Sequence, residues 1–386
     1  MTKKRILMIG CALFAMLFGA GNIIFPLILG RALGSSTPFA MIGFLLTGVV
    51  LPLVGFISIM LVEGDYVRFL KSLGRVPAFV VASLCMILLG PIGAIPRCIA
   101  LAHADLAWYL PSLPISVFSI LAAIVVGVCT YRKSQMIDLI SKFLGPVKIL
   151  CLLAIAIFGL AISGEPQASS SAASASFTRG VLGGYGTLDL LAILFFSQFI
   201  YRMLTSGSGT SNPQALLKDA IRVSLIAGGL MTCVYLGFAA VSVLHSSKVS
   251  AVADDTLLSA LASVTLGPWG GIFANLTIIL ACLMTAIALS ASFADFLSRF
   301  VFADRISYQS ALLFTIASSS LFANMKFAGI MQTIMPVINL LYPALIVFAG
   351  LHLILLTLKK DVRWARMSFF TTLALTVLFT LVGGMS

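Results

Sequence analysis

Two short clusters of glycine and polar residues interrupt apolar stretches that are otherwise long enough to cross a membrane. The first covers residues 19–22 (GAGN), with Pro26 four residues later, and the second covers residues 183–189 (GGYGTLD). Glycine disfavours helix by about 1 kcal/mol relative to alanine, and proline by about 3 kcal/mol. In lipid, a broken helix is tolerated only where protein or a watery cavity pairs its backbone groups. Free N–H groups at a break suit an anion and free carbonyls suit a cation, so the clusters predict a binding site at membrane depth.

Asp189 is the one carboxylate that the sequence places deep in an apolar run, since leucines surround it on both sides. A charged side chain there costs about 2.5–3.5 kcal/mol on insertion scales, which favours a cavity or a partner. Three roles remain open for Asp189: pairing with a positively charged ligand group, carrying a proton, or capping the helix that follows. The glycines also have a plain structural interpretation, because small residues allow membrane helices to pack closely.

The composition predicts an all-α polytopic membrane protein. Of the 386 residues, 60% are hydrophobic and 9% are charged, against about 45–50% and 25% in an average globular chain. The apolar runs are long enough for membrane helices, whereas the strands of a membrane barrel need only about 10 residues. The net charge of +12 is explained by membrane topology and gives no reason to expect nucleic acid. The seven cysteines include no CxxC pair and predict no metal site.

The apolar runs predict about eleven transmembrane helices. They lie at residues 6–30, 38–62, 76–98, 114–131, 143–163, 181–204, 222–245, 268–297, 308–325, 328–357 and 367–385. With a cytoplasmic N-terminus, 19 of the 24 Lys and Arg residues fall on the cytoplasmic side, Lys148 among them, and 5 fall outside, among them Arg97. This excess supports that orientation.

The two interruptions lie in the first and sixth predicted helices. Five helices separate them, and because five is odd, a second five-helix unit would enter the membrane with opposite polarity. We therefore predict one transmembrane domain, residues 1–386, built from an inverted repeat. The first unit would span about residues 6–163 and the second about residues 181–357, with an extra helix at about 367–385.

Residues 14–26 (FAMLFGAGNIIFP) resemble the opening motif of the branched-chain amino acid:cation symporters, bacterial carriers of leucine, isoleucine and valine. Residues 89–97 (LGPIGAIPR), 184–189 (GYGTLD) and 280–286 (LACLMTA) resemble later motifs of the family, in order, and Tyr342-Pro343 falls where the family has a similar pair. The family is similar to the amino acid–polyamine–organocation superfamily. That likeness implies a 5+5 inverted-repeat (LeuT-like) core with broken helices one and six. Family members often have twelve helices, so the twelfth is expected to be absent here.

The resemblance and the breaks together predict two adjacent sites. The residues predicted to bind substrate are Gly19, Ala20, Gly21, Asn22, Gly186, Thr187 and Asp189. The residues predicted to form a sodium site are Ala15, Phe18, Ala281 and Thr285. The superfamily pattern also has a hydroxyl at the position of Met284, and a thioether does not replace it because hard cations take oxygen ligands. This departure keeps a proton open as the coupling ion.

The resemblance implies a secondary transporter that imports branched-chain amino acids by symport with Na⁺. The alternatives are coupling to H⁺, transport of another hydrophobic amino acid and, in a different class, a channel. An ATP-driven pump is disfavoured because the sequence lacks a phosphate loop, and no clustered catalytic side chains predict an enzyme. The expected partners are the amino acid, the coupling cation and the lipid of a bacterial cytoplasmic (inner) membrane, with no cofactor. The candidates for an apolar substrate pocket are Ile23, Ile24, Phe195, Phe196 and Phe293.

Overall fold

The structure is a computed structural model that describes residues 2–131, 144–164, 166, 171–206 and 213–383, and no strand occurs among them. The helices are α1 Lys3–Leu17, α2 Ala20–Leu33, α3 Thr37–Leu45, α4 Leu51–Met60, α5 Tyr66–Lys71, α6 Arg75–Leu89, α7 Ala94–Ala107, α8 Ile115–Thr130, α9 Gly145–Ala161, α10 Ala173–Gly186, α11 Asp189–Thr205, α12 Pro213–Leu244, α13 Leu257–Asp295, α14 Tyr308–Ala323, α15 Lys326–Thr357 and α16 Arg363–Gly383. The predicted cytoplasmic residues Arg132, Lys133 and Lys142 and the last residues of the final predicted span lie outside the described residues.

Each of the eleven predicted spans coincides with one helix or with two consecutive helices. Within the described residues, seven helical stretches are long and apolar enough to cross a membrane, and two shorter apolar helices lie at Ile115–Thr130 and Gly145–Ala161. Such helices pair their own backbone groups, which is what lipid requires. The fold is therefore an all-α membrane bundle, as the composition predicts.

Four predicted span boundaries are wrong. Two spans were expected to begin at residues 222 and 268, but α12 begins at Pro213 and α13 at Leu257. The other two errors lie in the third and sixth spans, which carry breaks. The third span was expected to end at residue 98, but its helix breaks at residues 90–93 and resumes as α7, which continues to Ala107. The sixth span was expected to begin at residue 181, but α10 already begins at Ala173. In both places glycines or small polar residues lower the apolar signal, but the chain still forms a helix there.

The broken helices lie in the centre of the bundle. The α1–α2 pair packs against α12 and α13, and α10 lies along α3, while α11 packs against α4. The helix α9 fits between α1, α12 and α13. The side chains around both breaks are consequently buried, and Phe18, Ala20 and Leu188 are each at most 1% exposed. The bundle thus holds the two breaks away from lipid.

The glycines of α10 serve close packing. A Cβ atom added at Gly180 would clash with the Ala40 backbone, and one added at Gly184 would clash with Thr47. The hydroxyl of Thr47 donates to the carbonyl of Val181 at 3.0 Å, across the same contact. The structural interpretation of these glycines is therefore correct, and the helix break lies beyond them.

Candidate binding site at the two helix breaks

The first break follows Leu17, where α1 ends. Phe18 and Gly19 are extended, and α2 begins at Ala20. The side chain of Asn22 fixes this start, because its Oδ1 atom accepts a hydrogen bond of 2.8 Å from the Gly19 N–H group. The first N–H groups of a helix lack partners within the helix, so the start of α2 presents donors at the centre of the bundle.

The second break lies at Thr187 and Leu188, just after the glycine cluster. The helix α10 ends at Gly186 and α11 begins at Asp189. Leu188 has a φ of 66°, in the left-handed region that costs an L-residue about 1–2 kcal/mol. Strain of this kind persists only where the surroundings impose it. Both ends of this break lie beside the first break, since a Cβ atom added at Gly21 would lie 2.9 Å from the Gly186 carbonyl oxygen.

Asp189 joins the two breaks. Its Oδ2 atom accepts a hydrogen bond of 2.7 Å from the Asn22 amide and one of 3.3 Å from the hydroxyl of Tyr235 on α12. The Asn22 amide also donates to that hydroxyl at 2.5 Å. The carboxylate is 1% exposed. Within the part of the chain that the structure describes, its Oδ1 atom is buried without a hydrogen-bond partner. A free, buried carboxylate oxygen suits a cationic group or a proton.

Arg97 is a site residue that the sequence prediction missed. It was counted on the outer side, at the end of the third predicted span, but it lies within α7 and is only 2% exposed. Its guanidinium donates to the carbonyls of Gly186 at 2.5 Å and Thr187 at 3.3 Å. It thus pairs carbonyls at the C-terminal end of α10, where the helix dipole favours a cation. Its Nη2 atom would be 2.9 Å from a Cβ atom on Gly21, which brings its charge to the start of α2.

A small cavity lies between the two breaks. It is lined by predicted residues of both clusters, Gly19, Ala20, Asn22, Thr187 and Asp189, and also by Arg97. Its volume of about 10 Å³ corresponds to roughly one water molecule. The apolar part of the lining includes Met16, Leu17, Leu89, Ala192 and Leu289. None of the five apolar residues proposed from sequence lines this cavity.

The four residues of the predicted sodium site do lie together. The carbonyls of Ala15, Phe18 and Ala281 converge from α1, the first break and α13, and the hydroxyl of Thr285 donates to the Phe18 carbonyl at 3.3 Å. These three carbonyls accept hydrogen bonds from the ammonium of Lys148, at 3.0 Å for Ala15 and 3.4 Å for Ala281. Sodium binding by these groups stays a prediction.

Lys148 was assigned from the sequence to the cytoplasmic side with the other basic residues. It lies instead in the first turn of α9 and is 0% exposed. The local sequence does not separate these two cations from exposed ones. Arg97 and Lys148 each lie next to glycine and proline beside apolar residues, but so does Arg75, which is exposed. Charge counting takes each basic residue as exposed and therefore cannot find them.

The overall shape resembles solved transporters. The nucleobase-cation-symport-1 family transporter Mhp1, in a closed conformation with bromovinylhydantoin bound, matches with a TM-score of 0.63 at 15% identity. That match covers 97% of this chain and 90% of the other. MhsT in complex with L-phenylalanine matches with a TM-score of 0.53 at 16% identity, over 96% and 98% of the two chains. The fold is the LeuT-like inverted-repeat fold of secondary transporters, with the first and sixth helices broken.

The sequence comparisons go further. Residues 2–386 match the family model described as branched-chain amino acid transport protein. The branched-chain amino acid transport system 3 carrier protein of Pseudomonas aeruginosa is 30% identical over 90% of this chain and 80% of its own length. The branched-chain amino acid permease BraB of Bacillus subtilis is 28% identical over 99% and 86%. The chain belongs to the branched-chain amino acid transport protein family. It is a multi-pass membrane transporter and not an enzyme.

The close approach of the two breaks predicts that a larger residue at Gly21 will disrupt the site. Replacing Gly21 with alanine places a methyl group 2.9 Å from both Arg97 Nη2 and the Gly186 carbonyl oxygen, and 3.1 Å from the Thr187 Cα atom. Two of these contacts are with backbone, so the helices must move apart at a cost of about 1–3 kcal/mol. We expect the melting temperature of the purified protein to fall and leucine uptake to drop by an order of magnitude or more.

Gly229→Ala is the matched control for this substitution. Gly229 lies in α12 and no atom lies within 4 Å of an added Cβ atom. Alanine at a helix-interior glycine is stabilising by about 0.5–1 kcal/mol. Normal uptake and stability in Gly21→Ala would contradict the close packing of the two breaks.

Proposed function

We propose that this protein imports leucine, isoleucine and valine by symport with a cation, and that it binds them between the two helix breaks. The observation that carries the proposal is the buried, unpartnered Oδ1 atom of Asp189 beside the start of α2. An amino acid is a zwitterion, so its site must pair one ammonium and one carboxylate. The two breaks offer one acceptor and several donors for these groups.

The substrate ammonium is assigned to Asp189. Asn22 and Tyr235 both donate to Oδ2, which leaves Oδ1 as the free acceptor on the cavity wall. The same two donors hold the carboxylate in one orientation. A charged group that is fixed before the ligand arrives loses little freedom on binding.

The substrate carboxylate is assigned to the first turn of α2 and to Arg97. The N–H groups at Ala20 and Gly21 lie at the positive end of the helix, which favours an anion. Gly21 lets a ligand approach the backbone closely. The guanidinium of Arg97 adds a buried positive charge next to Gly21. Hydrogen bonds between charged groups are stronger than those between neutral groups.

The cavity in this structure is too small for leucine, since it has a volume of about 10 Å³. Substrate entry therefore requires the bundle to open at one membrane face, as alternating access demands. Of the two cations that the sequence leaves open, Na⁺ would use the carbonyls near Phe18, and H⁺ would use a buried carboxylate such as Asp189. The excess of basic residues near the predicted cytoplasmic ends supports an N-terminus in the cytoplasm of a bacterial cell.

The test is transport by the purified protein in proteoliposomes. We expect radiolabelled leucine to exchange with unlabelled leucine inside the vesicles without any ion gradient. We also expect net accumulation when an inward cation gradient is imposed. Saturable exchange would support a carrier, whereas currents of single-channel size without saturable uptake would refute it. Vesicles prepared without protein are the blank.

Substrate competition makes a second prediction. Met16, Leu17 and Leu289 offer apolar contact but no polar group to the aliphatic end of a ligand. Such a pocket separates two ligands that differ by one methylene by only about 1–3 kcal/mol. We expect unlabelled isoleucine and valine to inhibit leucine exchange at concentrations within about 200-fold of leucine itself. Charged amino acids should not compete, and competition by lysine or glutamate at leucine-like concentrations would contradict the apolar pocket.

A further inference from the structure

The ammonium of Lys148 occupies the place where three backbone carbonyls converge. Ala15 belongs to the last turn of α1, Phe18 follows its end, and Ala281 lies in α13. All three carbonyl oxygens accept from the same nitrogen. The ring of Phe18 is also close, with its centroid 5.8 Å from the nitrogen. Lys148 is therefore a buried cation. The carbonyl oxygens of Ala15, Phe18 and Ala281 form a cage around its ammonium.

The cage has the chemistry of a cation site. Carbonyl oxygens that a helix cannot pair suit hard cations, and a break in a membrane helix supplies them. The first break leaves the carbonyls of Ala15 and Phe18 without the N–H donors that a continuous helix would supply. The Thr285 hydroxyl donates one hydrogen bond to the Phe18 carbonyl. Lys148 supplies the remaining hydrogen bonds. Among the described residues, no carboxylate forms an ion pair with Lys148, and its hydrogen bonds go to the three carbonyls.

We propose that Lys148 is a built-in cation that takes the place of sodium between α1 and α13, so that transport by this protein does not depend on Na⁺. The inference rests on the proposed function and specifies its coupling ion. A sodium ion about 4 Å from the Lys148 ammonium would be repelled by it. Its affinity would be on the order of a thousandfold lower than for the same carbonyls without the lysine charge. Three of the four predicted sodium ligands also have their oxygens engaged by Lys148. The missing hydroxyl at Met284 is consistent with a cage that holds an ammonium.

The first arm of the test uses the unchanged protein. Leucine uptake is measured in proteoliposomes with an inward Na⁺ gradient, an equal choline gradient, or an inward H⁺ gradient. We expect the H⁺ gradient to drive accumulation and the Na⁺ gradient to have no more effect than choline. Accumulation that requires Na⁺ would overturn the proposal. Leucine exchange without gradients is measured in the same vesicles, and its failure would refute the proposed function and not the role of Lys148.

The second arm asks whether the cage can take sodium once the lysine is removed. Melting temperatures of detergent-purified protein are compared in NaCl and choline chloride at equal ionic strength. We expect no difference for the unchanged protein or for Lys218→Ala, a control at an exposed lysine of α12. For Lys148→Ala we expect NaCl to raise the melting temperature by about 2 °C or more, because a ligand that binds only the folded state stabilises it.

The double variant Lys148→Ala with Thr285→Val tests whether the sodium-dependent rise in melting temperature comes from binding at this cage. Valine removes the hydroxyl beside Phe18, so the sodium-dependent rise should shrink or disappear. A folded Lys148→Ala protein without any sodium effect would overturn the assignment of this cage as a cation site. If Lys148→Ala does not fold, the first arm alone decides, because it needs no variant.

Discussion

Replacing Asp189 with asparagine is expected to abolish leucine exchange. Asparagine keeps an oxygen that can accept from Asn22 and Tyr235, so its amide nitrogen turns towards the cavity in place of Oδ1. A donor then faces the substrate ammonium, where an acceptor is needed. Removing one partner of a buried charge pair costs about 2–5 kcal/mol, so we expect the apparent affinity for leucine to fall by about 30-fold or more.

The same variant separates the three roles of Asp189. Loss of exchange supports pairing with the substrate. Normal exchange with loss of gradient-driven accumulation supports proton transport by Asp189. Normal exchange and normal accumulation would leave only a capping role and would contradict the assigned binding site. The control is Asp361→Asn, an exposed aspartate beside Arg363, for which we expect unchanged transport.

Replacing Arg97 with methionine is expected to remove the discrimination between leucine and leucinamide. Leucinamide keeps the ammonium and the side chain but lacks the carboxylate that we assign to Arg97. The unchanged protein should therefore prefer leucine strongly. Hydrogen bonds to charged groups contribute about 1.5–3 kcal/mol, so we expect Arg97→Met to reduce this preference by about 10- to 100-fold. The measurement is inhibition of labelled leucine exchange by each compound.

Arg97 also has a structural role, and comparing leucine with leucinamide separates that role from carboxylate binding. Its bonds to the Gly186 and Thr187 carbonyls help to end α10, so Arg97→Met should also lower the melting temperature. A purely structural residue would lower the affinity for both compounds equally. An unchanged preference for leucine in a folded variant would therefore contradict carboxylate binding. Arg363→Met, at an arginine that is 86% exposed, is the control for the loss of a positive charge.

Much of the fold follows from local sequence. Long apolar runs become helices in lipid because only a helix pairs its backbone polar groups within one segment, and each predicted span contains a helix. The break in the first helix was also predictable, since Gly19, Gly21 and Asn22 lie together and Asn22 caps the helix that begins there. The second break, at Thr187 and Leu188, falls within the predicted cluster at residues 183–189. Its position inside the cluster was not predictable, because glycines that pack against α3 look the same in sequence as glycines that end a helix.

The sequence by itself determined that this protein is a helical membrane transporter and that its helices break near Gly19 and Asp189. Hydrophobicity and helix propensity act along the chain, so they can be read from it. Only the tertiary structure decided what lies beside those breaks. Arg97 and Lys148 come from α7 and α9, and each is placed by helices distant in sequence. Burial turns an ordinary basic residue into a fixed charge, and burial is a property of the packed bundle.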